Sequence, residues 1–207
     1  MRCSIKKSEY TRGTSLIEVS VVLGITMIVM LGASSFIILS FRNQRILNDQ
    51  LFGQKDARRV ISEIVNTIRT AEGSSIGSYP IAEATTSSLT VYANIDGDSL
   101  RERVHYWLTG TDLKRGILKP SGNPLEYTGQ EQVTTIAKYV QNVSRGTPTF
   151  QYYTESYTGS QAAMTLPITI TSVRMVKIII EIEKDVTKSP VPLRVESLTH
   201  IRNLKTN

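Results

Sequence analysis

The apolar positions change period along the chain. From Val19 to Phe41 they form 23 residues rich in Val, Ile, Leu and Met, without one charge. A helix needs about 20 apolar residues to cross a bilayer core, and secretory h-regions run only about 7–15. Val19 and Phe41 are therefore the expected limits of a transmembrane helix. After a polar stretch, Ala57, Val60, Ile61, Ile64, Ile68 and Ala71 recur at spacings of three and four. Arg58, Arg59, Glu63, Asn66 and Arg69 fill positions between them. That spacing predicts an amphipathic helix with one buried face. Gly53 marks an expected bend, and Gly73, with Ser74, Ser75 and Gly77 behind it, an expected C-cap. One near-continuous helix from Leu16 to Glu72 would be about 85 Å long; a membrane helix plus a separate surface helix is the alternative.

Beyond Gly77 the apolar side chains fall on every second position, as strands require. Residues 89–95 read as a strand, Asp96-Gly97 as a hairpin turn and residues 103–108 as the return strand. A shorter strand is expected over 113–118, and Pro120, Gly122 and Pro124 mark a loop. Val133, Ile136, Ala137 and Val140 have helical spacing in a short Thr-rich stretch, which leaves that segment unassigned. Residues 150–154 and 173–183 read as strands, the latter with Val176, Ile178, Ile180 and Ile182 on one face. Residues 195–202 are expected to close the sheet. The expected fold class is α+β, a long N-terminal helix packed on an antiparallel β-sheet.

Composition is that of an ordinary globular body, 40% hydrophobic and 20% charged. The net charge is +6, but half of it sits in residues 1–13, where Arg2, Lys6, Lys7 and Arg12 face only Glu9. A phosphate-gripping domain would keep its charge on itself. The one cysteine, Cys3, allows no disulfide within the chain and no thiolate cluster. Positive residues ahead of the apolar run predict an N-terminus in the cytoplasm and the body outside; Arg42 and Arg45 behind it lessen the asymmetry, but a long C-terminal domain is translocated largely regardless of local charge.

Glu18 stands immediately before the uncharged run. A carboxylate at the edge of a membrane helix is costly without a partner, and the plain reading is a marker of the water interface. Its neighbours change that. Arg12-Gly13-Thr14-Ser15-Leu16-Ile17-Glu18 resembles the processing site of type IV prepilins and type II secretion pseudopilins: a basic residue and glycine end a leader, and a glutamate opens a long apolar helix. The resemblance implies cleavage by prepilin peptidase between Gly13 and Thr14, and N-methylation of Thr14. It also implies an assembly role for Glu18, whose carboxylate would neutralise the terminal amine of a neighbouring subunit. Thr14 departs from the family's usual phenylalanine or methionine. The order of elements after the helix is similar to pilins too, most of all the J-type pseudopilins and W-type minor pilins.

The implied organisation is a leader over 1–13, a transmembrane and assembly helix over 14–41, its amphipathic continuation over 42–73 and a sheet body over 74–207. The implied role is a minor pilin or pseudopilin, a structural subunit of a type IV pilus or type II secretion pseudopilus. It would sit first in the cell (inner) membrane with its body periplasmic or extracellular, then in the fibre. Its partners would be prepilin peptidase, other pilin subunits, the inner-membrane assembly platform and, before assembly, lipid. The alternative is a single-pass anchored binding domain, for DNA uptake for example, that does not polymerise.

No cofactor and no enzymatic activity are expected. Asp96-Gly97-Asp98 is read as a structural turn; Asp96 and Asp98, with Asn94 and Glu102 nearby, are also the candidates for calcium, although the loop is no EF-hand. His105 and His200 lack partner histidines at metal spacing, and a packing or surface role is expected for His105. Glu181 and Glu183 alternate with isoleucines, as a strand's solvated face does. Tyr152, Tyr153 and Tyr157 with Arg145 could stack single-stranded DNA, though strand core plus loop is the simpler reading and nucleic acid is not an expected partner.

Overall fold

The computed structural model describes residues 15–183 and 192–204. The chain divides into two compact units, 1–47 and 48–207. Helix α1 (Leu16–Arg69) supplies the described part of the first unit and enters the second. Gly53 falls inside α1.

In the second unit, α1 lays down the face its periodicity predicts. Ala57, Val60, Ile61, Ile64 and Ile68 are buried, and Arg58, Arg59, Asn66 and Arg69 are exposed. The helix ends at Arg69 rather than at Gly73, which does not take a left-handed φ. Hydroxyls and a tightened turn do the capping instead: Thr70 Oγ1 donates to the Asn66 carbonyl at 2.9 Å, and the Ala71 N–H to Ile68.

Among the described residues eight strands follow, in two antiparallel sheets rather than one. The first has the order β1 (Ile81–Ala84), β2 (Ser88–Ala93), β3 (Glu102–Thr109), β4 (Asp112–Leu118) and β5 (Gln132–Ala137). The second has β6 (Phe150–Tyr153), β7 (Met175–Ile182) and β8 (Leu193–His200). Every neighbour follows in sequence, so each sheet is a simple meander. Strand β5 occupies the segment whose spacing looked helical. It is an exposed edge for most of its length, so its apolar positions never had to follow a strand's alternation.

The two sheets and α1 share one core. Ile61, Ile64 and Ile68 meet Leu89 and Val91 of β2, Val104 and Tyr106 of β3, Phe150 and Tyr152 of β6, and Val176, Ile178 and Ile180 of β7 in one buried cluster. Polar ties fix the helix to the first sheet: Tyr106 donates its hydroxyl to Thr67 Oγ1 at 3.1 Å, and Arg115 pairs with Glu63. Asn203 Nδ2 donates to the Ala71 carbonyl at 2.9 Å, so the chain's last described turn closes over the helix exit.

Strand β6 covers only the first half of β7. Beyond it, the loop over 139–149 completes the ladder. Asn142, buried, donates to the Ile179 carbonyl at 2.9 Å and accepts from the Glu181 N–H at 2.9 Å, while Ile179 N–H reaches the Thr149 carbonyl. The same loop overturns the solvated-face reading of Glu181 and Glu183. Both are buried, and their charges are met by Arg145 and Arg194.

Candidate functional site

Two places carry chemistry that the core does not require: the first turns of α1 and the polar outer side of the first sheet.

Helix α1 begins at Leu16, with the Ser15 carbonyl accepting from Glu18 N–H at 2.9 Å and Val19 N–H at 3.2 Å. Glu18 thus lies in the first turn, where the helix dipole favours a carboxylate. The segment Leu16–Phe41 is 26 residues long with mean hydropathy 2.4, and none of it is buried against the rest of the chain. Among the described residues it is the one helix long and apolar enough to cross a membrane, as an anchor or as a signal sequence. An apolar surface this large, left uncovered, marks contact with lipid or protein. Four of its hydroxyls turn inward on their own backbone: Ser20 bonds Ile17, Thr26 bonds Val22, Ser34 bonds Met30 and Ser35 bonds Leu31, all at 2.7–3.0 Å. No such hydroxyl proton is left facing an apolar medium. Gly24 and Gly32 have open space where a side chain would be, so no contact within the chain requires glycine there. Residues 1–13, and with them Gly13, as well as Thr14, lie outside the described residues.

In the body, Asp96-Gly97 does not form a two-residue turn. Ala93 pairs with Glu102, and an eight-residue loop over 94–101 joins β2 to β3. Gly97 takes the left-handed conformation at φ 79°, its N–H bonded to Asn94 Oδ1 at 2.7 Å. Asp96, Asp98 and Glu102 each place a carboxylate oxygen within 4.8 Å of the others. Lys119, just past β4, reaches Asp96 Oδ2 at 2.8 Å and also pairs with Asp98. Its ammonium holds the Asp96 carboxyl below the usual range and is itself pushed up by the two acids. Glu102, 2% exposed, differs from the two aspartates. Its Oε2 accepts from the Ile95 N–H at 3.1 Å, and its Oε1 is buried with no hydrogen-bond partner among the described residues.

His105 is neither a core residue nor free. Its Nε2 lies 3.1 Å from Ser88 Oγ, its Nδ1 3.4 Å from Glu131 Oε2, and its ring stacks on Trp107 at 4.3 Å. Glu131 also takes Arg103 at 3.1 Å and lies over Gly116, where a side chain would displace it. Serine, histidine and acid in a row invite comparison with a hydrolytic triad. A triad also needs donors for the oxyanion, and the Ser88 N–H is already given to Thr85 Oγ1 at 2.9 Å. The row is a polar tie across β2, β3 and the segment before β5. Its Ser88 and Glu131 had no signal in the sequence, because they meet only through strand pairing.

The tyrosines do not make a stacking platform together. Tyr152 is in the core with its hydroxyl on the Thr85 carbonyl at 2.7 Å; Tyr153 is buried against Tyr157 at 4.1 Å; Arg145 is engaged by Glu183. No protein-family model matches the chain, and no curated protein matches it.

Proposed function

We propose that the chain is a minor pilin or pseudopilin, a structural subunit delivered to a membrane and then built into a type IV pilus or type II secretion pseudopilus. The observation that carries the reading is Glu18, a carboxylate in the first turn of a helix whose next 23 residues are uncharged and uncovered. The resemblance of Arg12 to Glu18 to a prepilin processing site gives that carboxylate a task. After prepilin peptidase cuts between Gly13 and Thr14 and Thr14 is methylated, Glu18 meets the terminal amine of a neighbouring subunit. Two opposite charges entering a low-dielectric helix bundle together cost less than either alone. The apolar helix moves from lipid to protein without changing the polarity of its surroundings, so the charge pair sets the register. The N-terminus starts in the cytoplasm and the body outside, where the assembly platform and other subunits receive it. The body acts by packing and not by catalysis, in keeping with the committed Ser88 N–H beside His105.

Co-expression with a prepilin peptidase, read by intact mass, tests this directly. The expected result is loss of residues 1–13, blocked by Gly13→Ala. Glu18→Ala should leave membrane insertion intact and reduce incorporation into fibres. An unchanged full-length mass would discard the pilin reading in favour of a single-pass anchored binding domain.

A further inference from the structure

A sheet edge offers unpaired N–H and C=O groups, and folded chains shorten, cover or charge their edges to keep other chains off. Three of the four edges among the described residues follow that rule. Strand β1 is four residues long, has a bulge between Ile81 and Glu83, and lies beside the short helix Ile170–Ser172. Strand β6 has its outer side taken by other segments: the Phe150 N–H donates to the Thr86 carbonyl at 3.0 Å, and the Met164 N–H to the Tyr152 carbonyl at 2.9 Å. Strand β8 carries Arg194 and Glu196, both exposed. Strand β5 lacks these protections over 132–135. Its sequence, Gln-Val-Thr-Thr-Ile-Ala, holds no charge, proline or glycine. Residues 132–135 are all exposed, Val133 at 53%, and among the described residues only β4 bonds their backbone. The register shift against Leu113 and Lys114 comes after Thr135, beyond that stretch.

We propose that the open edge of β5 pairs with an extended segment of another protein, uncharged and β-branched along the pairing stretch and acidic at the end beside Lys138. In such strand addition the backbone bonds supply affinity and alternate side chains supply choice. Here Val133 and Thr135 stand opposite Gly116 and Lys114, on the side of the sheet that holds His105 and Trp107. Short branched residues pack well across strands at such positions. Two lysines set the charge of the guest. Lys138 is exposed and Lys114 half-buried. Among the described residues neither makes an ion pair, whereas Arg103 and Arg115 near them are taken by Glu131 and Glu63. Thr135 stands between Lys114 and the open edge and is short, so the ammonium reaches over it toward the next strand. An antiparallel guest makes the more stable pairing and runs its N-terminal end past Lys138, so its acids belong at that end. A second copy of this chain is a poorer guest. Its β5 brings the same two lysines, and the acid beside that strand, Glu131, already holds Arg103 and His105. The proposal does not rest on the pilin reading.

The test uses the full chain in detergent micelles and a labelled synthetic peptide, Glu-Glu-Thr-Val-Thr-Val-Thr, read by fluorescence anisotropy. The wild type should bind it with a dissociation constant below about 1 mM. Neighbouring N–H groups in a strand point to opposite sides, so one of Val133→Pro and Thr134→Pro removes an outward donor and leaves the ladder to β4 intact. The variant that keeps the wild-type unfolding midpoint should bind at least about tenfold more weakly. Lys114→Gln with Lys138→Gln, which touches no pairing group, should weaken binding about three- to tenfold, as two exposed ion pairs would. The peptide with Lys-Lys in place of Glu-Glu should bind more weakly still. No binding by the wild type at about 1 mM peptide would overturn the proposal, and so would equal binding of the two peptides or full affinity in the folded proline variant. A dimer of the chain alone that the same proline variant disperses would put a second copy on this edge and overturn it as well.

Discussion

Tyr106 joins the helix to the first sheet through a single buried hydroxyl, and its surroundings make it a reporter of the fold. Burial pushes the phenol up to about 12, against the opposing effect of its hydrogen bond to Thr67. An exposed tyrosine ionises near about 10. Between those values the unfolded chain gives up a proton that the folded chain keeps. The contribution is whole below about pH 10 and is lost as pH rises toward 12. Tyr152, buried with its hydroxyl on Thr85, shifts in the same direction. Tyr106→Phe should cost about 1 kcal/mol at neutral pH through the lost bond and flatten the alkaline fall in stability. Urea unfolding of the full chain in micelles at pH 8 and pH 11 measures both; an unchanged alkaline slope would refute the assignment. At this scale the sequence was legible where a residue's fate depends on its near neighbours. Ile64 and Ile68 are buried as their spacing requires. Glu181 and Glu183 were not legible. Alternation with isoleucine means a solvated face only if nothing covers that face, and Arg145, Arg194 and the loop over 139–149 cover it.

The element that does most with least regular structure is that loop. A strand edge left by a short neighbour exposes N–H and C=O groups that must bond something. Asn142 answers two of them at once, on Ile179 and Glu181. Asn142→Ala strands both groups in a buried site and should cost about 2–4 kcal/mol, measured as a lowered urea midpoint with an unchanged slope. A loss under 0.5 kcal/mol would mean water takes the asparagine's place. No periodicity could announce this residue, since its partners are 37 and 39 positions away. Strands β2, β3, β4, β6, β7 and β8 were visible from their apolar runs and turn residues. The division into two sheets was not: long-range pairing decides it, and β6 and β7 carry the same alternation they would carry in a single sheet. The β2–β3 connection shows the same limit. Asp-Gly marks a reversal of the chain, yet the register of Ala93 with Glu102 makes it eight residues long.

Across the whole molecule, the two compact units draw on different sources of stability. The second has a shared core of helix and sheets; the described residues of the first have an apolar surface and backbone hydrogen bonds along one helix. Urea should therefore unfold them separately in micelles. Trp107, the one tryptophan, sits on β3 and should report a single transition of the body, with substantial helical circular dichroism persisting beyond it. Coincident loss of both signals would show that the apolar helix depends on the body. The candidate site divides along the same line: Glu18 and its apolar run were plain in the sequence, whereas Glu102 stood there only as a neighbour of Asp96-Gly97-Asp98, with no sign that it is buried. The back-bonded hydroxyls of Ser20, Thr26, Ser34 and Ser35 have one more consequence. Turns whose hydroxyls are answered from within carry no memory of their last environment. Passage from one apolar medium to another requires no exchange of hydrogen-bond partners along those turns, so the assembly step proposed above would be reversible in principle, its direction set by Glu18.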